Sequence, residues 1–318
     1  MKTEESSERK LKDISVDLIE RNPENPRIFF RPQELDELTE SIRLYGVQVP
    51  ITVYSERKKF VLIDGERRWR CSLKLNKKTI PAIIQKKPDA LTNLVLMFNI
   101  HALREQWDLL TMALKLPRVV SLYKEKNGNE PNEHQLSIAT GLSRSIIRRC
   151  RLLMNLPPHH IDLLRVELKK PKREQKISED FYIEMERALT TVSRAMPDLI
   201  PDDNERERIR NLLINKYRGN LIGNLIDLRK VARMARASYV NADPKVAYEE
   251  LKKLFNLNDY TIEQAYGHSV SDAYLERDVR SIIQSLINNL GGIKKESLDS
   301  GLMELLRKLD AIVHNILS

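Results

Sequence analysis

The sequence predicts an α+β domain at the N-terminus followed by a mostly α-helical remainder. Up to about residue 90, short β-branched and apolar runs alternate with segments of helical spacing. From residue 178 onward, apolar residues recur almost entirely at helical spacing. Aromatic residues make up only 6% of the 318 residues and glycines number only 10, which is typical of a helix-rich chain with a limited sheet.

The composition favours an acidic partner. Lysine and arginine total 54 against 45 aspartate and glutamate, a formal net charge of +9, and the pI is near 9.4. This balance favours nucleic acid or a nucleotide. Cys71 and Cys150 are too few for a disulfide framework and no Cys/His spacing indicates zinc, so a cytoplasmic location is expected. No run approaches the roughly 18 apolar residues of a membrane span, and the charged start does not resemble a signal peptide.

The N-terminal region is predicted to hold three parts. Residues 1–12 form a disordered tail, residues 13–90 the small α+β domain, and residues 91–168 a helical connector with a DNA-binding motif. Within the α+β domain, strands are predicted at 14–19, 50–54, 60–63 and 79–84. A helix follows Pro32 and ends at Gly46, since glycine suits a helix C-terminus.

Residues 64–70 predict an anion site where a strand ends and a helix begins. Asp64-Gly65 is a turn dipeptide directly after the apolar run 60–63. The free backbone N–H groups and positive dipole of a helix start favour an anion, and Arg67, Arg68 and Arg70 add fork-shaped donors suited to phosphate. The alternative is a basic helix on a solvated surface.

Three ordered segments, 25–27, 46–51 and 65–70, together resemble the N-terminal domain of ParB-type partition proteins, a fold related to sulfiredoxins. The resemblance implies CTP binding. It assigns the cytosine to backbone groups of Gly46, Val47, Gln48, Val49 and Pro50. It assigns the triphosphate to Gly65, Glu66, Arg67, Arg68 and Arg70. Sulfiredoxins have a catalytic cysteine where this chain has Glu66, so their thiolate chemistry is excluded.

A third family segment matches residues 98–105. The resemblance implies that Asn99, His101 and Arg104 line the nucleotide and that Asn99 helps hold Mg²⁺, although a lone histidine is more often solvated or structural. Phe98 replaces the family's acidic residue and two residues are inserted before Arg104. Mg²⁺ prefers carboxylate ligands, so CTP is expected to bind with slow or no hydrolysis. Glu105 and Glu66 are the remaining candidates for a catalytic acid.

Residues 136–151 predict a helix-turn-helix, with Gly141 in the turn and Ser143 capping the second helix. Ile147 and Cys150 then face inward. The outward residues are Ser143, Arg144, Ser145, Arg148 and Arg149. These are the positions from which a recognition helix contacts the major groove of double-stranded DNA. The alternative is a helical hairpin with a solvated basic face.

The remainder is predicted as a basic linker at 169–178 and an α-helical region of unknown role at 179–318. Breaks fall near 197–203, 219–223, 241–244 and 291–292. Arg229, Arg233 and Arg236 lie along one helical side, by default a solvated face and otherwise a second DNA-facing stripe. The amphipathic final helix, from residue 298, must bury its apolar side within the domain or between the subunits of a homodimer.

The sequence is therefore interpreted as a ParB-like DNA-binding protein whose clamping or spreading on DNA is controlled by a ribonucleotide, CTP, in DNA partition or a related mobile-element or regulatory role. The resemblance also implies a homodimer associated with the nucleoid, and a partner ATPase is a further candidate. One alternative is a ParB-like nuclease or another phosphoryl-transfer enzyme that uses the same basic loop. The other is a DNA-binding adaptor with a vestigial nucleotide site.

Overall fold

The computed structural model describes residues 10–25, 32–102, 108–293 and 299–318, with only the backbone at residues 33 and 100–102. Two compact units divide the chain, Met1–Arg187 and Ala188–Ser318. None of the helices within the described ranges combines the length and apolar character that crossing a membrane requires.

The N-terminal unit contains a five-stranded mixed sheet. Its strands are β1 (Lys10–Ser15), β2 (Ile19–Glu20), β3 (Ile51–Glu56), β4 (Lys59–Asp64) and β5 (Thr79–Gln85), in the order β1-β5-β3-β4-β2. The pairs β1/β5 and β3/β4 are antiparallel, whereas β3/β5 and β2/β4 are parallel. Inward-facing β-branched and leucine side chains, such as Ile51, Val53 and Leu62, fill its core.

The strands predicted at 50–54, 60–63 and 79–84 are confirmed. The strand predicted at 14–19 is instead divided between β1 and β2 by a 3-10 turn at Val16–Leu18, and the predicted disordered tail extends three residues too far. Lys10–Ser15 pairs with Thr79–Ile84 along β5, so the sheet begins at Lys10. The first four residues of β1 are exposed because this strand lies at the edge of the sheet. Charged residues such as Lys10 and Lys12 are common on edge strands, where they resemble an unstructured polar tail in sequence.

Helices make up the rest of the N-terminal unit. They are α1 (Pro32–Tyr45), α2 (Glu66–Lys74), α3 (Ala90–Ala102), α4 (Leu109–Asn127), α5 (Glu133–Thr140), α6 (Arg144–Met154), α7 (Pro158–Lys169) and the first part of α8 (Glu179–Ala195). Helix α1 ends at Gly46, whose φ of +75° suits glycine, as predicted. Helix α1 packs against α2, and α4 packs against α6.

The segment predicted as a basic linker is folded against α7. The buried carboxylate of Glu167 accepts hydrogen bonds from Lys170 Nζ at 2.6 Å and from the backbone N–H of Lys176 at 2.8 Å. Gln175 also donates to the carbonyl of Lys170 at 3.0 Å. Because one carboxylate holds both ends of this turn, residues 170–176 have a fixed path rather than that of a free linker.

The C-terminal unit is helical, as predicted. After the end of α8 come α9 (Asp203–Arg218), α10 (Leu228–Met234), α11 (Pro244–Asn256), α12 (Ile262–Gly267), α13 (Ser271–Leu290) and α14 (Ser300–Leu317). The predicted breaks at 197–203, 219–223, 241–244 and 291–292 all fall between these helices. Lys216 ties α9 to the end of α11, since its buried Nζ donates to the carbonyls of Leu254 and Tyr260. Burial lowers the pKa of Lys216 to about 8.

Candidate functional site

The turn between β4 and α2 requires a glycine. Gly65 has a φ of +97°, and a Cβ added there would lie 2.5 Å from Ile51 Cγ2 on the neighbouring strand. Gly65 also offers no side chain to cap α2. The first backbone N–H groups of the helix are therefore available to an anion, and the helix dipole favours one there.

Arg68 joins the two segments that the sequence assigned to the nucleotide. Its Nη1 donates to the carbonyl oxygens of Val49 at 2.5 Å and Pro50 at 2.6 Å. Its Nη2 donates to Asp64 Oδ2 at 3.1 Å. The guanidinium thus fixes the loop from Gly46 to Pro50 against the start of α2. The sequence predicted both segments at one site, but it assigned Arg68 to binding phosphate and not to holding the two segments together.

Glu66 organises the cations around it. The side chain is almost fully buried, and its Oε1 accepts hydrogen bonds from Arg70 at 2.9 and 2.6 Å. Arg21 lies 3.2 Å from the same oxygen, and the Asn25 amide donates to Oε2. These contacts assign Glu66 an orienting role and leave its oxygens occupied. Sequence reasoning missed Arg21, which lies 45 positions before Glu66 and belongs to none of the family segments.

Arg67 and Arg70 complete the basic start of α2. Arg67 Nη2 donates to the carbonyl of Glu34 at 2.9 Å, which ties α2 to α1. Its Nε is buried and has no hydrogen-bond acceptor within the described ranges. A buried donor without an acceptor is costly, so a phosphate oxygen that reached it would be favoured. The Arg70 side chain is 36% exposed and therefore accessible to a ligand.

The loop suits phosphate better than it suits a magnesium ion. The two carboxylates beside Gly65 are engaged, Asp64 with Arg68 and Glu66 with Arg70. The arginine donors fit phosphate oxygens, whereas Mg²⁺ needs oxygen ligands free of such partners. Among the described residues, the loop therefore offers no fitted site for Mg²⁺.

The third predicted segment lies elsewhere in this conformation. Phe98 is fully buried, so it cannot contact a ligand. Asn99 lies against the helix-turn-helix, where a Cβ added to Gly141 would clash with its Oδ1. The roles predicted for Asn99 at the nucleotide and Mg²⁺ remain predictions. His101, Arg104 and Glu105 fall outside the residues whose side chains are described.

Helices α5 and α6 form the predicted helix-turn-helix. Asn132 and Gln135 make a reciprocal capping box at the start of α5. Gly141 ends that helix with a φ of +72°. Ser143 caps α6 by accepting a hydrogen bond from the N–H of Ile146 at 3.2 Å. Ile147 and Cys150 are fully buried, which confirms the predicted phase of the helix.

The outer face of α6 carries three exposed arginines. Arg144, Arg148 and Arg151 follow i, i+4, i+7 spacing and so share one side of the helix, and all three are exposed, as are Ser143 and Ser145. Arg148 lies 2.8 Å from Glu133 of α5 and retains donors for another acceptor. Sequence reasoning missed Arg151, although its spacing from Arg144 was sufficient to identify it.

Arg149 points to the side of α6 instead of outward. It is half-buried and forms an ion pair with Asp180 of α8. The neighbouring Glu179 accepts a hydrogen bond from the N–H of Leu110 at 2.5 Å, and burial raises the pKa of Glu179 to about 7. Burial also raises the pKa of Cys150 to about 12, so its thiol is unreactive. Arg149 thus supports the packing of α6 rather than the outward basic face to which it was assigned.

Comparison with known proteins identifies the N-terminal region. Residues 1–100 match the family model described as the ParB N-terminal domain. The probable chromosome-partitioning protein ParB of Pseudomonas putida is 33% identical over 152 residues, covering 47% of this chain and 50% of that protein. The nucleoid occlusion protein of Bacillus cereus is 26% identical over 252 residues, and the match covers 76% of this chain and 77% of that protein. The chain thus spans about half the length of the first of these relatives.

Structural similarity extends to a C-terminally truncated ParB from Caulobacter crescentus. Its complex with the centromeric parS site is 21% identical and covers 71% of this chain and 98% of that chain, with a TM-score of 0.42. Its complex with CTP-γ-S is 24% identical and covers 56% of this chain and 92% of that chain, with a TM-score of 0.29.

Proposed function

Residues 1–100 belong to the ParB N-terminal domain family, and we propose that this chain is a DNA-binding protein of the partition or nucleoid-occlusion type whose hold on DNA is governed by CTP. One observation carries the nucleotide part of the proposal. Arg68 fixes the loop from Gly46 to Pro50 beside the anion-attracting start of α2. The loop proposed to contact the base and the helix start proposed to bind the phosphates thereby belong to one site.

The loop chemistry favours cytosine over uracil. Backbone carbonyls accept hydrogen bonds, and each carbonyl oxygen has two lone pairs. The carbonyls of Val49 and Pro50 therefore retain acceptor capacity beside Arg68. Cytosine presents an amino group that donates, whereas the corresponding position of uracil is a carbonyl that only accepts. A loop that presents fixed carbonyls discriminates between the two bases on this difference.

Helix α3 offers a physical route between the nucleotide loop and the DNA-binding helices. It packs against β4, the strand that leads into Gly65, and against α5 of the helix-turn-helix. Asn93 of α3 accepts a hydrogen bond from Asn22 at 3.3 Å, and Asn99 lies against Gly141. A nucleotide that moves β4 or its loop would therefore act on the helix-turn-helix through α3. Among the described residues, Phe98 has no carboxylate and Glu66 has its oxygens engaged, which supports the proposal that CTP acts as a conformational ligand with little or no turnover.

Titration with the four ribonucleoside triphosphates tests this proposal. We expect calorimetry to detect CTP binding at least about tenfold tighter than UTP binding, since one well-placed hydrogen bond supplies about that discrimination. Phosphate release from the same samples, with and without duplex DNA, should stay near the background rate. Equal affinity for UTP, or no triphosphate binding at all, would contradict the nucleotide assignment. Rapid phosphate release stimulated by DNA would contradict the proposal of little or no turnover but would leave the CTP-binding assignment standing.

The final helix supplies a surface for a second copy of the chain. No residue of α14 is buried within the described chain, and Leu305, Leu309, Ile312 and Ile316 form one stripe along it. A stripe with this spacing suits pairing with an identical helix, because the apolar side of each covers the other. We infer that α14 pairs between subunits of a homodimer.

Charge placed in this stripe should separate the dimer. Leu305→Asp with Ile312→Asp is expected to weaken dimerisation by about 100-fold or more, because each buried apolar side chain contributes roughly 1.5–3 kcal/mol. Sedimentation velocity over a concentration series measures the change. Ala311→Asp places one such charge outside the stripe, on another exposed side of α14, and should leave the dimer intact. A wild-type monomer at all concentrations would rule out this pairing.

A further inference from the structure

The C-terminal unit contains a basic cleft of about 580 Å³ that neither the nucleotide loop nor α6 contributes to. The end of α8, the turn after α10 and the start of α13 supply its walls. The residues that define its chemistry are Thr190, Arg194, Arg236, Tyr239, Tyr274 and Arg277. No carboxylate lines the cleft, so three guanidinium groups face one concave surface without an acidic side chain among the lining residues.

Two of these arginines differ from those exposed arginines of the chain that pair with an acid. Arg208 and Arg280, for example, each pair with a glutamate one helical turn away. Within the part of the chain that the structure describes, the side chains of Arg194 and Arg236 have neither a hydrogen bond nor an ion pair. All the N–H donors of these two side chains are therefore available to a ligand, whereas a paired arginine already has some of its donors engaged.

The third arginine is positioned by an aromatic ring. The Arg277 guanidinium lies 4.7 Å from the centroid of the Tyr274 ring, within cation–π distance, and also pairs with its exposed neighbour Asp278. Tyr274 is buried, and its hydroxyl donates to the carbonyl of Arg233 at 3.3 Å. Burial raises the pKa of Tyr274, so the ring stays neutral and adds no competing negative charge. The cleft therefore has a fixed aromatic wall that holds one cation in place.

Hydroxyl donors complete the lining. Thr190 Oγ1 accepts a hydrogen bond from Arg206 at 2.9 Å, which leaves its own O–H free to donate. The side chain of Tyr239 is largely exposed at the rim. Guanidinium forks together with hydroxyl donors are the groups that bind phosphate oxygens.

We propose that this cleft binds a phosphate group, supplied either by the backbone of duplex DNA or by a free oligophosphate. The arginine stripe predicted from sequence is only partly involved. Arg236 lines the cleft, Arg233 lies 5.1 Å from the Tyr274 ring, and Arg229 is not among the lining residues. The other two cations come from α8 and α13, which are distant in sequence, so helical spacing alone could not assemble the site.

The test compares two double variants of the full-length protein. Arg194→Ala with Arg236→Ala removes the unpaired cations of the cleft. Arg218→Ala with Lys252→Ala removes two exposed cations of the same unit that do not line it. A random-sequence duplex is titrated by fluorescence anisotropy over a salt series, and inorganic tripolyphosphate is titrated by calorimetry. Thermal unfolding of both variants checks that the fold is retained.

If the phosphate belongs to DNA, the cleft variant should bind the duplex about tenfold or more weakly. The slope of log affinity against log salt should also fall by about 1–2, because up to two phosphate contacts are lost. If the phosphate is free, the number of tripolyphosphate sites should fall by one while duplex binding is unchanged. The control variant should match the wild type in both titrations. A cleft variant that matches the wild type with both probes would overturn the proposal.

Discussion

Replacing Arg144, Arg148 and Arg151 with alanine is expected to lower the affinity for duplex DNA by about 100-fold or more at physiological salt. The three side chains are exposed on one face of α6, beside a helix start that Ser143 caps. Each phosphate contact contributes about 0.9 to the slope of log affinity against log salt, so the slope should fall by up to roughly 3, the full amount if all three arginines contact phosphates. Electrophoretic mobility shift and anisotropy over a salt series measure both quantities.

Two further variants separate charge from base reading. With lysine at the same three positions, the salt slope should remain while preference for the bound sequence falls, because lysine lacks the rigid planar fork with which arginine contacts guanine. Arg149→Ala should leave DNA affinity within about twofold and lower thermal stability instead, since this arginine pairs with Asp180. Unchanged DNA binding in the alanine triple variant would indicate that the helices form a protein-binding hairpin.

Turn glycines, helix caps and helical spacing were sufficient to predict the structure wherever residues close in sequence determine it. The helix-turn-helix followed from a glycine in the turn, a serine cap and two inward positions, and Gly141, Ser143 and Ile147 behave accordingly. Gly65 was predicted as a turn glycine from Asp-Gly alone. The structure adds a second reason, because Ile51 leaves no room for a side chain. Short-range backbone preferences and long-range packing agree at this position.

Long-range contacts account for what the sequence did not reveal. Helical phase leaves Arg149 partly outward, but α8 contributes Asp180 from 31 positions away and takes up its charge. The basic cleft likewise depends on α8, α13 and the turn after α10 meeting. Glu66 could be read as an orienting acid or a catalytic one until Arg21 and Asn25 were found on its oxygens. Sequence spacing identifies a residue's side of a helix but not which distant element covers that side.

Arg68→Ala is expected to weaken CTP binding by about 100-fold and to abolish the preference for CTP over UTP. The substitution removes the hydrogen bonds to Val49 and Pro50 that fix the base-reading loop, together with the contact to Asp64. Hydrogen bonds from charged donors contribute roughly 1.5–3 kcal/mol each. Losing even two of them corresponds to about 100-fold or more in affinity. Calorimetric titration with CTP and UTP measures both effects.

Arg67→Ala is the variant that distinguishes positioning from phosphate contact. Arg67 lies on the same helix start but holds α1, through the carbonyl of Glu34, and not the base-reading loop. Its loss should therefore weaken CTP and UTP alike, by about tenfold, and keep their ratio unchanged. Arg43→Ala, on the exposed side of α1, should change neither affinity. If Arg68→Ala kept the CTP preference, the loop from Gly46 to Pro50 would not be the base reader, because the contacts that fix its carbonyls would then be irrelevant to selectivity.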